Sequence, residues 1–272
     1  MQKKILFTDL DGTLLNDEKG VSDALYKTLL KLQENGHIIV LSSGRPLDSI
    51  LEVKEILGLN DRGIYASAYN GGLIYDCSEK KNIIEKRVSF SDVSYVLQIA
   101  KQTHTYCQTY TATHIVAEKE TAELNYYRKA VHLPVIYTSD IIGALCEEPF
   151  KLLAIDLENH QDLEHFREVL MPDVKNRITT LYSNPMYLEI FPISAGKGQA
   201  LEELCQYLQI PLSNTMAAGD MENDISMLEV AGCGVAMQNA AQKVKEIADI
   251  TTECDNNHDG LLPYIKQFFM IS

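Results

Sequence analysis

Two aspartates near the start of the chain, Asp9 and Asp11, directly follow the apolar residues 5–8 and are separated by one residue. In an extended segment alternate side chains point the same way, so two like charges would crowd one spot. A divalent cation bound by oxygen ligands would offset that repulsion, and the pair therefore indicates metal-assisted chemistry on a phosphate. The alternative interpretation is a hairpin, because Asp11-Gly12 between apolar runs is typical of a tight turn.

Size and charge narrow the classes of partner. The chain has 272 residues, of which 46% are hydrophobic, so we expect one large or two moderate domains with a buried core. Its formal net charge of −14 argues against nucleic acid and anionic membrane surfaces, since both need clustered lysines and arginines. An anionic substrate would have to be attracted locally, by a metal ion and a few placed cations.

Cysteine spacing and the N-terminal residues indicate a cellular compartment. The six cysteines form no C-x-x-C pair and match no zinc pattern, which is typical of free thiols in a reducing environment. The apolar stretch that ends at Asp9 is too short for a signal peptide, and no window has the length of a membrane span. We therefore predict a soluble, cytoplasmic protein.

The pattern of apolar residues predicts two kinds of architecture. Both ends of the chain alternate strands with helices, which is typical of a doubly wound parallel sheet in an α/β fold. The middle third reads instead as a mixed α+β unit inserted into the first. The predicted division is residues 1–83 and 188–272 for the core domain and residues 84–187 for the inserted domain.

Individual elements follow from periodicity, caps and turn residues. Ser22 is the predicted N-cap of the first helix and Gly36 its end, and Asn70-Gly71 predicts a hairpin. Strands are predicted at residues 5–8, 37–41, 63–69, 73–75, 88–90, 105–116, 177–182, 187–191, 215–218 and 234–237. Helices are predicted at residues 21–35, 47–57, 92–102, 121–131, 161–170, 198–208, 224–230 and 242–247.

Three of the predicted strands end in residues that can do chemistry. Open α/β sheets bind ligands at the carboxyl ends of their strands, so these residues should meet at one edge. They are Asp9 and Asp11 after the first strand, Ser43, Gly44 and Arg45 after the second, and Gly219 and Asp220 after residues 215–218.

Two further features add to these candidate site residues: the acidic segment that begins at Asp220, and Lys197. Asp220, Asn223 and Asp224 have the spacing of one helix face, although acidic residues at a helix start are also favoured by the helix dipole alone. Lys197 lies at a predicted helix start, where a cation is mildly disfavoured. Taken with the other motifs, Lys197 is predicted to contact a phosphate.

These residues resemble the four motifs of the haloacid dehalogenase superfamily of phosphohydrolases, in order and spacing. The matching segments are residues 9–14 (DLDGTL), 41–45 (LSSGR), 197–201 (KGQAL) and 219–224 (GDMEND). The second has serine where threonine is common. An insert of about a hundred residues between the second and third motifs resembles the C2-type cap of the Cof subfamily. The resemblance implies a Rossmann-like core with an α+β cap that closes over the site and selects the leaving group.

The resemblance also implies a mechanism. Asp9 would attack phosphorus to form an aspartyl phosphate, and Asp11 would protonate the leaving group and later deprotonate water. Because a free aspartate is too acidic for that role, we expect the site to raise the pKa of Asp11. Mg²⁺ would be held by Asp9, Asp220 and the Asp11 backbone carbonyl.

The remaining site residues would bind the substrate or support the catalytic groups. Asn223 would orient Ser43 or Lys197, Asp224 would support Lys197 or a metal-bound water, and Arg45 would contact the phosphate or anchor its loop. The predicted catalytic residues are Asp9, Asp11, Ser43 and Lys197, and the predicted substrate contacts are Leu10, Ser43, Gly44, Arg45, Lys197 and Asn223.

The function predicted from the sequence is an Mg²⁺-dependent phosphatase for small phosphorylated metabolites such as sugar phosphates. One alternative is a phosphomutase or phosphotransferase of the same superfamily. Another is a regulatory phospho-acceptor module, which also pairs carboxylates with Mg²⁺ on a doubly wound sheet but has little use for a second acid or a cap.

Overall fold

The computed structural model describes residues 2–271. Its strands are β1 (Ile5–Asp9), β2 (Ile38–Ser42), β3 (Ile64–Ala68), β4 (Leu73–Asp76), β5 (Lys81–Glu85), β6 (Tyr106–Tyr110), β7 (Ile115–Ala117), β8 (Val135–Tyr137), β9 (Leu152–Ile155), β10 (Ile178–Asn184), β11 (Tyr187–Pro192), β12 (Thr215–Gly219), β13 (Cys233–Ala236) and β14 (Ile250–Thr251).

The α-helices of the same residues are α1 (Asp23–Glu34), α2 (Leu47–Ile56), α3 (Phe90–Gln102), α4 (Ala122–Tyr127), α5 (Ile141–Ala144), α6 (His160–Val174), α7 (Lys197–Leu208), α8 (Ile225–Val230), α9 (Gln242–Ile247) and α10 (Leu262–Phe269). Short 3₁₀ turns lie at Tyr69–Gly71, Leu212–Asn214, Glu222–Asp224 and Asn256–His258. Among the helices of residues 2–271, none is long and apolar enough to cross a membrane.

The core is an eight-stranded sheet in the order β14-β13-β12-β1-β2-β3-β4-β5. Strands β14 to β3 pair in parallel, and β4 and β5 add an antiparallel edge. The five residues of β1 are all buried, as are those of β2, which is typical of a parallel sheet covered on both faces. The predicted α/β fold with a parallel sheet is confirmed.

The inserted cap is built on a second sheet of six strands in the order β10-β11-β9-β6-β7-β8. All of its pairings are antiparallel except β7 with β8. Along β9, Leu152 and Ala154 pack into one hydrophobic cluster with helices α3 and α6, whereas Leu153 and Ile155 pack into the cluster shared with the core domain. The cap sheet therefore has one face covered by its own helices and one face directed at the core.

Local signals in the sequence explain where the first helix begins and ends. The Ser22 side chain accepts a hydrogen bond from the Leu25 N–H, as an N-cap should. Gly36 has a φ of +76° just beyond the end of α1, in the left-handed region that glycine tolerates. The predicted cap and end of this helix are confirmed.

Three predicted elements of the cap are wrong in type or extent. Residues 88–90 are not a strand, because Ser89 accepts a hydrogen bond from the Asp92 N–H and starts α3 at Phe90. The single strand predicted at 105–116 is two strands, β6 and β7, joined by a turn. The helix predicted at 121–131 ends at Tyr127.

The chain returns to the core later than the sequence indicates. Strand β11 pairs with β10 and β9 of the cap sheet, so the predicted boundary between residues 187 and 188 falls inside a cap strand. Strand β5 belongs to the core sheet, so the first crossing also moves, to about residue 85. Sheet membership favours a cap of about residues 86–192 in place of 84–187.

Several elements have no counterpart in the sequence prediction. Strand β9 is a run of four residues, short enough to be read as either a strand or part of a helix. The other unpredicted elements are β5, β8, β14, α5 and α10, of which β14 has two residues and β8 three. Short edge elements depend on pairing with neighbours that are distant in the chain, which local periodicity does not report.

The turn between β3 and β4 touches the start of α7, and this contact predicts a stability difference. Gly71 has a φ of +85°, and a Cβ there would overlap the Gly196 carbonyl oxygen, whereas Gly36 has a φ of +76° and open space around it. Both alanine variants bear the conformational cost of about 1–2 kcal/mol, but only Gly71→Ala also forces two backbones apart.

We therefore expect Gly71→Ala to lower the melting temperature clearly more than the matched variant Gly36→Ala, as measured by circular dichroism. Equal shifts for the two variants would show that the turn and α7 are not in close contact.

Candidate active site

The carboxyl ends of three adjacent core strands bring the predicted residues to one edge. Strands β12, β1 and β2 lie side by side in the sheet. Asp9 is the last residue of β1, Ser43 follows the end of β2, and Asp220 follows the end of β12. This edge is where an open α/β sheet binds its ligands.

Lys197 is the cation at the centre of the site. It is the first residue of α7 and is 0% exposed. Its Nζ donates to Asp9 Oδ1 at 2.5 Å and to Asp224 Oδ1 at 2.5 Å. Burial alone would lower the pKa of Lys197, but the Asp224 and Asp9 carboxylates more than reverse this and raise it, so the ammonium stays charged.

Three buried aspartates surround that ammonium. Carboxylate oxygens of Asp9, Asp220 and Asp224 lie within 4.8 Å of one another. Asp220 Oδ1 accepts a hydrogen bond from the Thr13 hydroxyl at 2.8 Å. Asp224 Oδ2 accepts from the N–H groups of Asp220 at 2.9 Å and Met221 at 3.0 Å. All the oxygens of Asp224 are thus engaged, and its observed role is to hold Lys197 and the loop after β12.

The charge of this cluster is not balanced by its own residues. Burial, with the Asp224 and Asp220 carboxylates, raises the pKa of Asp9 well above its usual value against the opposing pull of Lys197. Burial and the Asp224 carboxylate raise the pKa of Asp220 to about 7. One ammonium among three carboxylates leaves room for a divalent cation, and an all-oxygen donor set suits a hard ion. The cluster could therefore hold a metal ion.

Asp11 is not one of the three clustered carboxylates, and its own carboxylate is bound by cations. Arg45 donates from Nε to Asp11 Oδ2 at 2.8 Å and from Nη2 to Oδ1 at 2.7 Å, and Lys19 Nζ donates to Oδ1 at 2.7 Å. Burial acts to raise the pKa of Asp11, but Arg45 and Lys19 outweigh it and lower the pKa. The expectation of a raised pKa for Asp11 is wrong for this arrangement, because Arg45 binds its carboxylate.

The loop after β2 is crowded by residues from other parts of the chain. Ser43 is buried, its N–H donates to the Ser67 carbonyl at 2.9 Å, and its Oγ accepts from the Arg45 N–H at 3.2 Å. A Cβ on Gly44 would lie 3.0 Å from Glu189 Oε1 and 3.2 Å from the side-chain amide of Asn70. The lack of a side chain at Gly44 thus leaves room for the close approach of two side chains.

Asn223 has a partner that the sequence did not indicate. Its Nδ2 donates to Asn70 Oδ1 at 2.9 Å, so it orients neither Ser43 nor Lys197 directly. Asn70 is buried with a φ of +56°, and its N–H donates to the Ser43 carbonyl at 3.0 Å. Asn70 therefore links the loop after β2 with the loop after β12. In the sequence, its Asn-Gly context predicts only a turn.

Two further residues near the site were missed because they belong to the cap. Glu189 and Lys151 form an ion pair of 2.6 Å whose carboxylate reaches the loop at Gly44. A charged residue inside the apolar run of β11 is the signal that could have found Glu189.

Leu10, a predicted substrate contact, has a fully buried side chain in the core cluster, and its carbonyl oxygen accepts a hydrogen bond from the Leu15 N–H at 2.8 Å.

The comparison with known families rests on nearly the whole chain. A family model described as haloacid dehalogenase-like hydrolase matches residues 6–265. The chain belongs to the haloacid dehalogenase-like hydrolases. This confirms the family that the four sequence motifs indicated, and with it a phosphoric monoester hydrolase as the class of enzyme.

Individual relatives in this hydrolase family are similar over nearly their full lengths. The phosphatase YwpJ of Bacillus subtilis is 31% identical, with 94% of this chain and 96% of that protein covered. The 5-amino-6-(5-phospho-D-ribitylamino)uracil phosphatase YcsE of the same organism is 28% identical over 98% of this chain and 96% of its own. A crystal structure of a haloacid dehalogenase-like hydrolase from Bacteroides thetaiotaomicron superposes with a TM-score of 0.88 at 30% identity, covering 98% and 100% of the two chains.

The raised pKa of Asp220 predicts a pH dependence of stability in the metal-free protein. The pKa of Asp220 is about 7 in the folded protein and about 3.9 in the unfolded chain. Between these two pH values the carboxyl group is therefore more often protonated in the folded state. The free energy of unfolding should therefore fall as the pH rises from about 4 to about 7.

Urea denaturation in EDTA should show wild type losing stability relative to Asp220→Asn across this range, while Asp48→Asn, at an exposed position on α2, keeps the wild-type slope. Parallel curves for wild type and Asp220→Asn would contradict the raised pKa.

Proposed function

We propose that this phosphatase hydrolyses small phosphorylated metabolites, sugar phosphates or similar phosphomonoesters, through an aspartyl phosphate on Asp9 and with Mg²⁺ as its cofactor. The observation that carries the proposal is the buried cluster in which Lys197 holds Asp9 beside Asp220 at the end of the central strands. The related phosphatase YcsE, whose name includes a phosphorylated ribityl chain, makes polyol and sugar esters the first compounds to test.

Asp9 is the proposed nucleophile. Its Oδ1 is held by Lys197, and among the described residues its Oδ2 has no hydrogen-bond partner. In the first step Oδ2 bonds to phosphorus while the ester P–O bond breaks and the leaving alcohol takes a proton. In the second step water attacks phosphorus, the aspartyl P–O bond breaks, and inorganic phosphate leaves.

Asp11 is the proposed acid and base for these two proton transfers. A carboxylate held between Arg45 and Lys19 is a poor proton donor, so those ion pairs have to open before the first step. The side chain of Asp11 is 40% exposed, which leaves it free to change rotamer without disturbing the core. The contact with Arg45 thus describes a resting arrangement of the acid.

The residues present fit a hard divalent ion. Asp220 Oδ2 lacks a protein partner among the described residues. Asp9 Oδ1 accepts from Lys197 and keeps a further acceptor position, which leaves Oδ2 for the attack, whereas both oxygens of Asp224 are engaged. Asp9, Asp220 and the Asp11 backbone carbonyl are therefore the proposed ligands. When bound, Mg²⁺ would neutralise negative charge on the phosphoryl oxygens.

Ser43, the Gly44 N–H and Lys197 are the proposed contacts of the remaining phosphoryl oxygens. Ser43 follows β2 beside Asp9, and Lys197 already reaches Asp9 from α7. Asn70 and Asn223 keep this loop against the metal-binding loop through their hydrogen bond. Donors fixed before the reaction stabilise charge as it develops on phosphorus, which is the main demand of phosphoryl transfer.

The role of Asp9 predicts the outcome of one conservative substitution. Asp9→Asn keeps the side-chain shape and removes the attacking charge, so kcat for phosphate release should fall at least about 10³-fold. Asp48→Asn should retain wild-type turnover. Release of inorganic phosphate from a panel of sugar and polyol phosphates is the measurement.

An Asp9→Asn enzyme that is folded and still near wild-type activity would contradict the nucleophile assignment. Stoichiometric transfer to a second hydroxyl compound, without steady release of inorganic phosphate, would favour a phosphotransferase instead.

The proposed metal ligands predict how activity depends on Mg²⁺. Excess EDTA should abolish phosphate release and Mg²⁺ should restore it, because the carboxylate cluster otherwise repels an anionic substrate. Asp220→Ala should raise the Mg²⁺ concentration for half-maximal activity at least about tenfold, while Glu229→Ala, an exposed position on α8, should leave it unchanged. Full activity in excess EDTA would exclude this role for the cluster.

A further inference from the structure

The face of the cap that is directed at the active site contains a buried ion pair. Lys151 Nζ lies 2.6 Å from Glu189 Oε2, and the two side chains are 1% and 4% exposed. Both residues belong to the cap, so the pair does not join the two domains. It lies outside the four motifs that account for the phosphatase chemistry.

Strand register directs Glu189 toward the core domain. On β11, the flanking residues Leu188 and Ile190 pack into the cluster under the cap helices. Glu189 therefore points to the opposite face, where it pairs across the sheet with Leu153 of β9. Its Oε1 lies 3.0 Å from where a Cβ of Gly44 would be, so the carboxylate reaches the loop proposed to hold the phosphoryl group.

Stability does not explain this pair. Moving two charges out of water costs more than packing apolar residues of similar volume, so a buried pair commonly adds little to stability. The surroundings are largely aromatic: Lys151 Nζ lies 5.2 Å from the Tyr110 ring centre, and Tyr69 of the core stacks on Phe150 with ring centres 4.8 Å apart. A polar pair kept in such a place is expected to have a binding role.

The pair has hydrogen-bonding capacity to spare. Glu189 Oε2 accepts from Lys151 and Oε1 accepts from the Ser183 hydroxyl at 2.8 Å, which leaves about two of the four acceptor positions of a carboxylate. Lys151 donates to Glu189 and, among described residues, to no other hydrogen-bond acceptor. A spare acceptor beside a spare donor matches a hydroxyl group, which both donates and accepts.

We propose that Glu189, held by Lys151, is a specificity-determining residue that binds a hydroxyl of the leaving group close to the phosphorylated carbon. This rests on the proposed phosphatase function, because it takes the loop at Gly44 as the phosphoryl site. An alkyl leaving group would leave the buried pair without its partner, and a site built for a hydroxyl rejects analogues that lack it. A second anionic group at this point would be repelled by the carboxylate.

The test compares two esters of equal chain length, D-glucitol 6-phosphate and n-hexyl phosphate. Wild type should have a kcat/KM at least about tenfold higher for the hydroxylated ester. Glu189→Gln, which keeps the shape and removes the charge, should reduce that ratio at least about tenfold. Glu189→Asp, which keeps the ion pair but shortens the reach, should reduce it as well and covers the case in which the glutamine variant fails to fold.

The matched control is Asp92→Asn, which alters another largely buried cap carboxylate, paired with Arg177 at 2.9 Å on the helix-covered side of the sheet. It should leave the ratio at the wild-type value. A wild type without preference, or Glu189 variants that change both esters equally, would overturn the proposal.

A failure of the proposed phosphatase function can be distinguished from a failure of the Glu189 proposal. If wild type releases no phosphate from either ester or from p-nitrophenyl phosphate with Mg²⁺ present, the phosphatase proposal is wrong. The role of Glu189 is then tested by calorimetry, which measures the affinity of each ester for two proteins. One protein carries Asp9→Asn alone, and the other carries Asp9→Asn together with Glu189→Gln. A selective loss of glucitol phosphate binding would support it, and equal binding by both proteins would overturn it.

Discussion

The ammonium group of Lys197 joins two parts of the chain that lie 188 residues apart, and the active site depends on this contact. Without a buried cation, Asp9 and Asp224 would face each other unpaired at the end of the central strands. The same ammonium fixes where α7 starts, because the helix has to deliver its first residue to that point. The sheet, the returning helix and the loop after β12 are thus positioned by one electrostatic requirement.

The parts of this arrangement that could be predicted from the sequence are those with a local cause. Strand ends are visible as apolar runs that stop at polar residues, so the meeting of Asp9, Ser43 and Asp220 at one sheet edge follows from topology alone. The support of Lys197 by Asp224 was one of two expected roles, and the structure has it. Helix caps such as Ser22 behaved as expected because they depend on neighbours three residues away.

The parts that could not be predicted depend on side-chain choices among distant partners. Arg45 binds Asp11, 34 residues away, and the sequence could not say which carboxylate that arginine would bind. Asn223 pairs with Asn70, 153 residues away, for the same reason. In the cap, the strand Tyr187–Pro192 was assigned to the wrong sheet, since an apolar run does not specify which neighbours it pairs with.

The charged residues of the core sheet and of the cap sheet lie at different places in their strands. The core holds Asp9 and Asp220 at strand ends, beside Lys197 of α7, and this is the proposed site of the phosphoryl group. In the cap, Glu189 lies within β11 and its partner Lys151 directly precedes β9, on the face proposed to meet the leaving group. Because β9 and β11 belong to a separate sheet, their core-facing residues can change without altering the strand pairing of the eight-stranded sheet. Under the proposed function, leaving-group preference can then vary while the chemistry of Asp9 stays the same. If Glu189 binds a hydroxyl of the leaving group as proposed, its closeness to the loop at Gly44 links leaving-group selection to the chemistry, since a leaving group that does not bind Glu189 also places its phosphate poorly.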